Sequence, residues 1–222
     1  MSAPDRGFRV MSLFDEQSVP LDGGLLGWVP VRRRLGIAAF GTNGYRAARA
    51  GDPVVEEHVE SPGQQELYLV VRGRAEFTLD GEVAQAPSGT LLFVPDPATM
   101  RSAVALEDDT VVLAVGGWPD RAYHDLPWEP IYLAREAISR GDWAAAAQTL
   151  EREAGDHRDT AIIRFRLAWC HARAGDADAA LTELRGAVSV NPDMLQRALD
   201  DEYLVQLREL PGWPAEPGQP AG

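Results

Sequence analysis

A stretch rich in alanine and leucine recurs with a period of 34 residues in the last third of the chain. The run Arg-Gly-Asp-Trp-Ala-Ala-Ala at 140–146 returns as Ala-Gly-Asp-Ala-Asp-Ala-Ala at 174–180, and Leu150 returns as Leu184. A fixed period of this length is typical of stacked supersecondary units, each burying its apolar face against the next. Small and apolar residues at helical spacing around a glycine predict paired helices. We therefore expect a helical segment at 129–210.

The period and its pattern resemble the tetratricopeptide repeat. The second copy matches that pattern at a set of small, apolar and terminal positions: Leu167, Ala168, Gly175, Ala180, Leu184, Ala187 and Pro192. The first copy has Glu153 where a small residue is usual and Arg158 where the proline would stand, so its second helix is expected to end early. A last helix is predicted at about 194–207, and the Pro/Gly-rich residues 211–222 are predicted to form a flexible tail. The resemblance implies a surface for a protein partner or for homodimerisation.

Before this segment, residues 8–128 contain short runs rich in Val, Leu, Phe and Tyr that are separated by Gly, Pro and Asp turns. Such runs predict strands, for example at 36–40, 67–71 and 75–79. Asp80-Gly81 favours a tight turn that closes a hairpin after the last of these runs. Many short strands without intervening helices indicate an antiparallel sandwich or barrel.

The charge of the chain restricts its partners. The chain has 34 acidic and 21 basic residues, and all the basic residues are arginine, giving a net charge of −13. Nucleic acid is therefore not an expected partner, and Schiff-base chemistry has no lysine to use. No apolar stretch has the length of a membrane span or a secretory signal, so we expect a cytoplasmic protein without a membrane partner. The single cysteine, Cys170, is predicted to be buried and unpaired.

One motif in the strand-rich part carries side chains that can bind a metal. His58-Val59-Glu60 follows Gly51 after six residues, and Glu66 stands six residues before Gly73. This resembles the first motif of the cupins, Gly-x5-His-x-His-x(3 or 4)-Glu-x6-Gly, with Glu60 in place of the second histidine. In metal-binding cupins these positions hold a divalent ion, so the resemblance implies His58, Glu60 and Glu66 as ligands.

The second cupin motif is weaker here. Gly89 precedes Pro95 at the expected spacing, but Pro97 replaces a glycine, Met100 the histidine ligand and Val104 an asparagine. The resemblance covers about residues 30–117 and implies a double-stranded β-helix, or jelly-roll, barrel. With the helices that follow, the chain resembles an uncharacterised group that joins one cupin domain to tetratricopeptide-type helices.

Strand geometry supports convergence of the three ligands. Residues two apart on a strand point to the same face, so His58 and Glu60 can meet Glu66 from the next strand, with Tyr68 continuing the face of Glu66. We predict that Tyr68 and Met100 line the pocket. One imidazole and two carboxylates suit Mn, Fe(II) or Zn.

These features support two functions. The first is a cupin-type protein that binds a small molecule in the barrel through a divalent ion, which would permit Lewis-acid chemistry. The second is a non-catalytic ligand-binding or scaffold protein with a metal-free barrel. Whether the chain is an enzyme is left open. Without an ion, Glu60 and Glu66 would repel each other if buried together, and we expect one of them to take up a proton.

Overall fold

A computed structural model describes residues 8–214 of the chain. The chain divides into two compact units between His124 and Asp125. The described part of the first unit is built mainly of strands and that of the second mainly of helices. This agrees with the predicted succession of an all-β domain and a helical segment.

Ten strands lie in the described part of the first unit. They are β1 (Val19–Leu21), β2 (Leu26–Val29), β3 (Gly41–Ala47), β4 (Pro53–His58), β5 (Gln65–Arg72), β6 (Arg74–Leu79), β7 (Glu82–Pro87), β8 (Leu91–Val94), β9 (Arg101–Ala105) and β10 (Thr110–Gly117). One sheet has the order β1-β2-β3-β10-β5-β8 and the other β4-β9-β6-β7, and every neighbouring pair is antiparallel. The eight strands β3 to β10 thus form two four-stranded halves, and the chain crosses between them after every strand except at the β6–β7 hairpin, which is the arrangement of a jelly roll.

The core of this unit follows the alternation of its strands. On β5, Glu66, Tyr68 and Val70 are buried and their neighbours are not. The ring of Tyr68 packs against Phe77 of β6 with 5.3 Å between centroids. The predicted face of Glu66 and Tyr68 is therefore the face that points into the barrel.

Two local predictions have opposite outcomes. The Asp80-Gly81 turn between β6 and β7 is confirmed, with φ of 48° and 88°. The strand predicted at 36–40 is wrong, because residues 31–35 form a short helix, α1 (Val31–Leu35), that ends at Gly36 with φ of 66°. A glycine ends a helix readily in this left-handed conformation, so the chain resumes a strand only at Gly41.

Five further α-helices lie in the described part of the second unit. They are α2 (Trp128–Ser139), α3 (Trp143–Glu153), α4 (Ala161–Ala174), α5 (Ala177–Val190) and α6 (Asp193–Leu199). Short 3-10 turns lie at Gly155–His157 and Val205–Leu207 in this unit and at Asp22–Gly24 in the first. The predicted last helix at 194–207 is thus a short helix and a separate turn. Helix α3 of the first copy has 11 residues and its counterpart α5 has 14. The second helix of the first copy therefore ends early, as predicted. From residue 215 onward, the predicted flexible tail lies outside the described residues.

The 34-residue recurrence is visible in the backbone. Asp142 begins α3 and its side chain accepts a hydrogen bond from the Ala145 N–H at 3.0 Å. Asp176 begins α5 and accepts from the Ala179 N–H at 3.1 Å. The sequence repeat is therefore also a repeat of helix-capping geometry. None of the helices described here is both long enough and apolar enough to cross a membrane.

Candidate functional site

The three predicted ligands meet inside the jelly-roll unit. His58 ends β4, Glu66 begins β5, and Glu60 lies in the loop between them. One donor atom from each lies within 4.8 Å of the others. His58 Nε2 is 3.5 Å from Glu60 Oε1 and 3.8 Å from Glu66 Oε2. The structure thus brings together all three residues that the first motif indicated.

Strand pairing explains this convergence. His58 pairs with Arg101 of β9, while Glu66 pairs with Val94 of β8 and with Gly116 of β10. Glu60 is fixed by its backbone N–H, which donates to the Pro97 carbonyl at 2.9 Å. The site therefore takes its residues from strands of both sheets and from the loop between β4 and β5.

The hydrogen bond of His58 Nδ1 sets the tautomer of the imidazole ring. Nδ1 lies 2.7 Å from the carbonyl oxygen of Glu56. A carbonyl oxygen only accepts, so Nδ1 carries the hydrogen and Nε2 faces the two carboxylates. A histidine that binds a metal is commonly oriented in this way by its other nitrogen.

Arg101 is a site residue that sequence reasoning missed. Its side chain is fully buried, and its Nη1 donates to Glu66 Oε2 at 3.3 Å. Its Nη2 donates to the carbonyl oxygens of Asp96, Pro97 and Thr99 at 3.1, 3.1 and 2.9 Å. Nε donates to Thr99 O at 3.0 Å. A buried charge is tolerated when paired and hydrogen-bonded in this manner.

The sequence signal for Arg101 is the alternation of β9. Arg101, Ala103 and Ala105 are buried, whereas Met100 and Val104 are 42% and 39% exposed. This alternation turns Met100 away from the interior. Arg101 instead takes the inward position that the motif comparison gave to Met100, and the predicted pocket-lining role of Met100 gains no support.

Tyr68 supports Glu66 from the interior. Its hydroxyl donates to Glu66 Oε2, which therefore receives hydrogen bonds from both Tyr68 and Arg101. Burial, together with the charge of Glu66, raises the pKa of Tyr68 well above its usual value, so the phenol stays protonated. Glu66 is thus held by two donors and keeps its other oxygen for a further partner.

The charges of the cluster can balance without an ion. Burial lowers the pKa of His58, but hydrogen bonds to Glu60 and Glu66 outweigh it and raise that pKa to about 10. His58 is therefore protonated at neutral pH when no metal is bound. Two carboxylates then face two cations, His58 and Arg101. The sequence suggested that one carboxylate would take up a proton to relieve the repulsion. In the structure the two cations offset the charges of the carboxylates.

The donor set also fits a divalent ion. Ligand atoms about 2.1 Å from an ion lie roughly 3.0–3.4 Å apart at octahedral or tetrahedral angles. The separations of 3.5 and 3.8 Å from His58 Nε2 are close to these values. All three donor atoms lie within 4.8 Å of one another, so the carboxylates would have to draw together to bind one ion.

An uncommitted amide lies next to this group. Gln64 is 4% exposed, and among the described residues its buried Oε1 has no hydrogen-bond partner. A Cβ built on Gly116 would lie 3.5 Å from Gln64 Nε2 and 3.6 Å from Glu66 Cγ. Gln64 and Glu66 therefore both lie next to Gly116, which places the Gln64 amide near Glu66.

The chain is similar to several solved structures. No family model matches the chain, and no curated protein matches it. Among solved structures, KdgF from Halomonas sp. is 20% identical over 46% of this chain and 86% of its own, with a TM-score of 0.37. A cupin protein from Bacteroides fragilis is 20% identical over 55% and 92%, with a TM-score of 0.39. A sugar phosphate isomerase of the cupin superfamily from Silicibacter pomeroyi is 18% identical over 46% and 68%, with a TM-score of 0.37.

All three TM-scores are below 0.5, so the fold is assigned from the strand order of the chain itself. The first unit is a jelly-roll domain, the architecture that cupins share, with a His-Glu-Glu group inside it. The chain thus combines an all-β jelly-roll domain with an α-helical segment, as the sequence predicted.

Proposed function

We propose that the jelly-roll unit binds a small organic molecule through a divalent ion held by His58, Glu60 and Glu66. The observation that carries this proposal is the approach of three donor atoms to within 4.8 Å of one another. One imidazole nitrogen and two carboxylate oxygens favour Mn, Fe(II) or Zn. When bound, such an ion supplies Lewis-acid character to a ligand or lowers the pKa of a bound water.

The residues around the ion would have separate tasks. The hydrogen bond from His58 Nδ1 to Glu56 O aims Nε2 at the ion. Tyr68 and Arg101 hold Glu66 in place, while Gln64 offers an uncommitted amide to the bound molecule. Glu60 is held through its backbone N–H, which donates to Pro97 O, and its carboxylate faces His58.

Metal analysis of the purified full-length protein tests this proposal. We expect about one ion per chain after incubation with Mn²⁺, Fe²⁺ or Zn²⁺ and desalting. The His58→Ala and Glu66→Ala variants should lose it, because each removes one of three protein ligands. Glu57→Ala changes an exposed carboxylate on the same strand and should keep it. Absence of a stoichiometric ion from the native protein would rule out the metal-dependent form.

A metal-free binding protein is the second candidate, and the charge balance of the site favours it. Arg101 and protonated His58 already offset Glu60 and Glu66, so the cluster does not need an ion to be neutral. Under this alternative, a chelator leaves the melting temperature unchanged and added metal does not raise it. The two candidates therefore predict opposite results in the same titration.

A further inference from the structure

Arg166 on α4 is a partly buried cation that forms no ion pair with any described residue. Its Nε is buried and has no hydrogen-bond acceptor, and within residues 8–214 the side chain forms no ion pair. The chain carries 34 acidic residues, so a general shortage of carboxylates does not explain this. An unpaired charge withdrawn from water is costly, and such groups are rare unless something binds them.

The charged groups nearest to Arg166 are mostly cations. Burial and then the positive charges of Arg197 and Arg135 lower its pKa. The guanidinium of Arg135 lies 5.0 Å from the Tyr132 ring centroid, but in the described part of the chain neither Arg135 nor Arg197 has an ion pair. The positive charges of three arginines therefore act on one another, and within residues 8–214 none of the three forms an ion pair.

One acidic residue and one thiol also face the cluster. The charge of Asp201 interacts favourably with Arg166. The Asp201 carboxylate is already engaged, since its Oδ1 accepts the N–H groups of Tyr203 and Leu204 at 2.9 Å each. Burial raises the pKa of Cys170 to about 12, so the thiol is neutral. Within the described residues Asp201 forms no ion pair with Arg166, and one carboxylate stands against three guanidinium groups.

Helix packing explains why the three arginines are close. Helices α2, α3 and α4 share one apolar cluster, and α4, α5 and α6 share another. Arg166 lies on α4 between a residue of each cluster, Arg135 directly follows a residue of the first, and Arg197 directly precedes a residue of the second. Three different helices thus each contribute one arginine.

We propose that Arg135, Arg166 and Arg197 form an oxyanion-binding site that takes a phosphate or carboxylate group. The planar guanidinium offers paired N–H donors that match the oxygens of both groups. A bound oxyanion would give Arg166 its missing acceptor and would relieve the repulsion between the three cations. This site belongs to the helical unit and does not depend on the function proposed for the barrel.

Calorimetric titration of the full-length protein tests the site, with inorganic phosphate and citrate as separate probes at constant ionic strength. We expect saturable binding of at least one probe and about a tenfold or greater loss of affinity in Arg166→Leu. Arg166→Lys should recover part of the loss. Arg152→Leu makes the same charge change at an exposed arginine of α3 that pairs with Glu153, and it should bind like the native protein.

Thermal unfolding gives a second readout that separates binding from a structural role. Without an added anion, Arg166→Leu should melt at a higher temperature than the native protein, because it removes an unpaired charge that is partly withdrawn from water. Phosphate or citrate should raise the melting temperature of the native protein only. If Arg166→Leu does not fold, Arg197→Leu, which changes an exposed member of the cluster, should still weaken binding severalfold. Unchanged affinity in the variants, or no saturable binding of either probe by the native protein, would overturn the proposal.

Discussion

Arg101 carries its positive charge deep inside the jelly-roll unit. Three backbone carbonyls of residues 96–99 surround one side of its guanidinium, and Glu66 accepts from the other side. The carbonyls offer partial negative charge and Glu66 a full one, so the cation is both hydrogen-bonded and paired. The same contact fixes the position of Glu66, and Arg101 therefore acts on the site through that carboxylate.

Replacing Arg101 should reveal this coupling. Arg101→Met leaves Glu66 without its buried counter-ion, and removing one partner of a buried pair costs about 3–5 kcal/mol of unfolding free energy. Arg101→Lys keeps the charge and should cost less. Arg74→Met breaks an exposed pair with Glu107 and should change stability by less than about 1 kcal/mol. Urea unfolding measures all three, and equal losses in Arg101→Met and Arg74→Met would contradict this account.

His58 should make the metal-free protein sensitive to alkaline pH. Its folded pKa of about 10 lies above the ordinary value of 6.5, so protonated His58 stabilises the folded state. That contribution is complete below about pH 6.5 and is lost as the pH rises toward 10. In the presence of a chelator, the melting temperature of the native protein should therefore fall more between pH 7 and 10 than that of His58→Gln.

The control for this pH effect is His171→Gln, which alters a histidine on α4 of the helical unit. It should follow the native pH profile. A native profile that runs parallel to that of His58→Gln would mean that the two carboxylates do not hold the proton on His58.

The sequence predicted most of the site but not all of it. The sequence predicted His58, Glu60 and Glu66, because their spacing matches a known motif and because residues two apart share a strand face. Arg101 could not be predicted in this way. Its role depends on the pairing of β9 with β4, which decides whether position 100 or 101 points inward, and the motif comparison gave no measure of that register.

At the scale of elements, the two copies of the 34-residue repeat begin their second helices with the same aspartate cap. Asp142 and Asp176 occupy equivalent positions before α3 and α5, and each satisfies a backbone N–H that the helix itself leaves free. The preceding glycines, Gly141 and Gly175, have φ of 71° and 83°. Glycine reaches this conformation at little cost, so the Gly-Asp pair both turns the chain and starts the next helix.

Loss of either cap should destabilise the helical unit. Asp142→Ala and Asp176→Ala are each expected to lower the unfolding free energy by about 1 kcal/mol. Asp156→Ala, at an exposed position in the turn after α3, should have a smaller effect. Chemical denaturation followed by far-UV circular dichroism measures these changes. Cap variants that are no less stable than Asp156→Ala would show that the aspartates do not hold the helix starts.

The element scale also shows where sequence patterns fail. The run Val31–Leu35 is too short to show helical periodicity, and the apolar residues after it imitate a strand. The helix ends in a left-handed glycine, Gly36, whose backbone N–H donates to Arg33 O at 3.2 Å. By contrast, the 34-residue period was informative because two copies repeat the same turn and cap, so the helices there could be predicted before any contact was known.

At the scale of the whole molecule, the two units carry different chemistry. The candidate metal ligands all belong to the first unit, between His58 and Glu66. The arginine cluster lies on α2, α4 and α6 of the second. The net charge of −13 makes three unpaired arginines in one place unusual for this chain, since most of its surface should repel an anion. Metal and oxyanion should therefore act on separate parts of the protein.

Hydrogen exchange with and without Mn²⁺ tests whether the ion binds in the first unit. At a free Mn²⁺ concentration 100 times its dissociation constant, binding to the folded state alone adds about 2.7 kcal/mol of stability. Added protection should appear first in β4, β5 and β9, because these strands hold His58, Glu66 and Arg101. His58→Ala should show no gain. Protection that instead begins in α3 or α4 would place the ion outside the jelly-roll unit and would contradict the assignment of His58, Glu60 and Glu66 as its ligands.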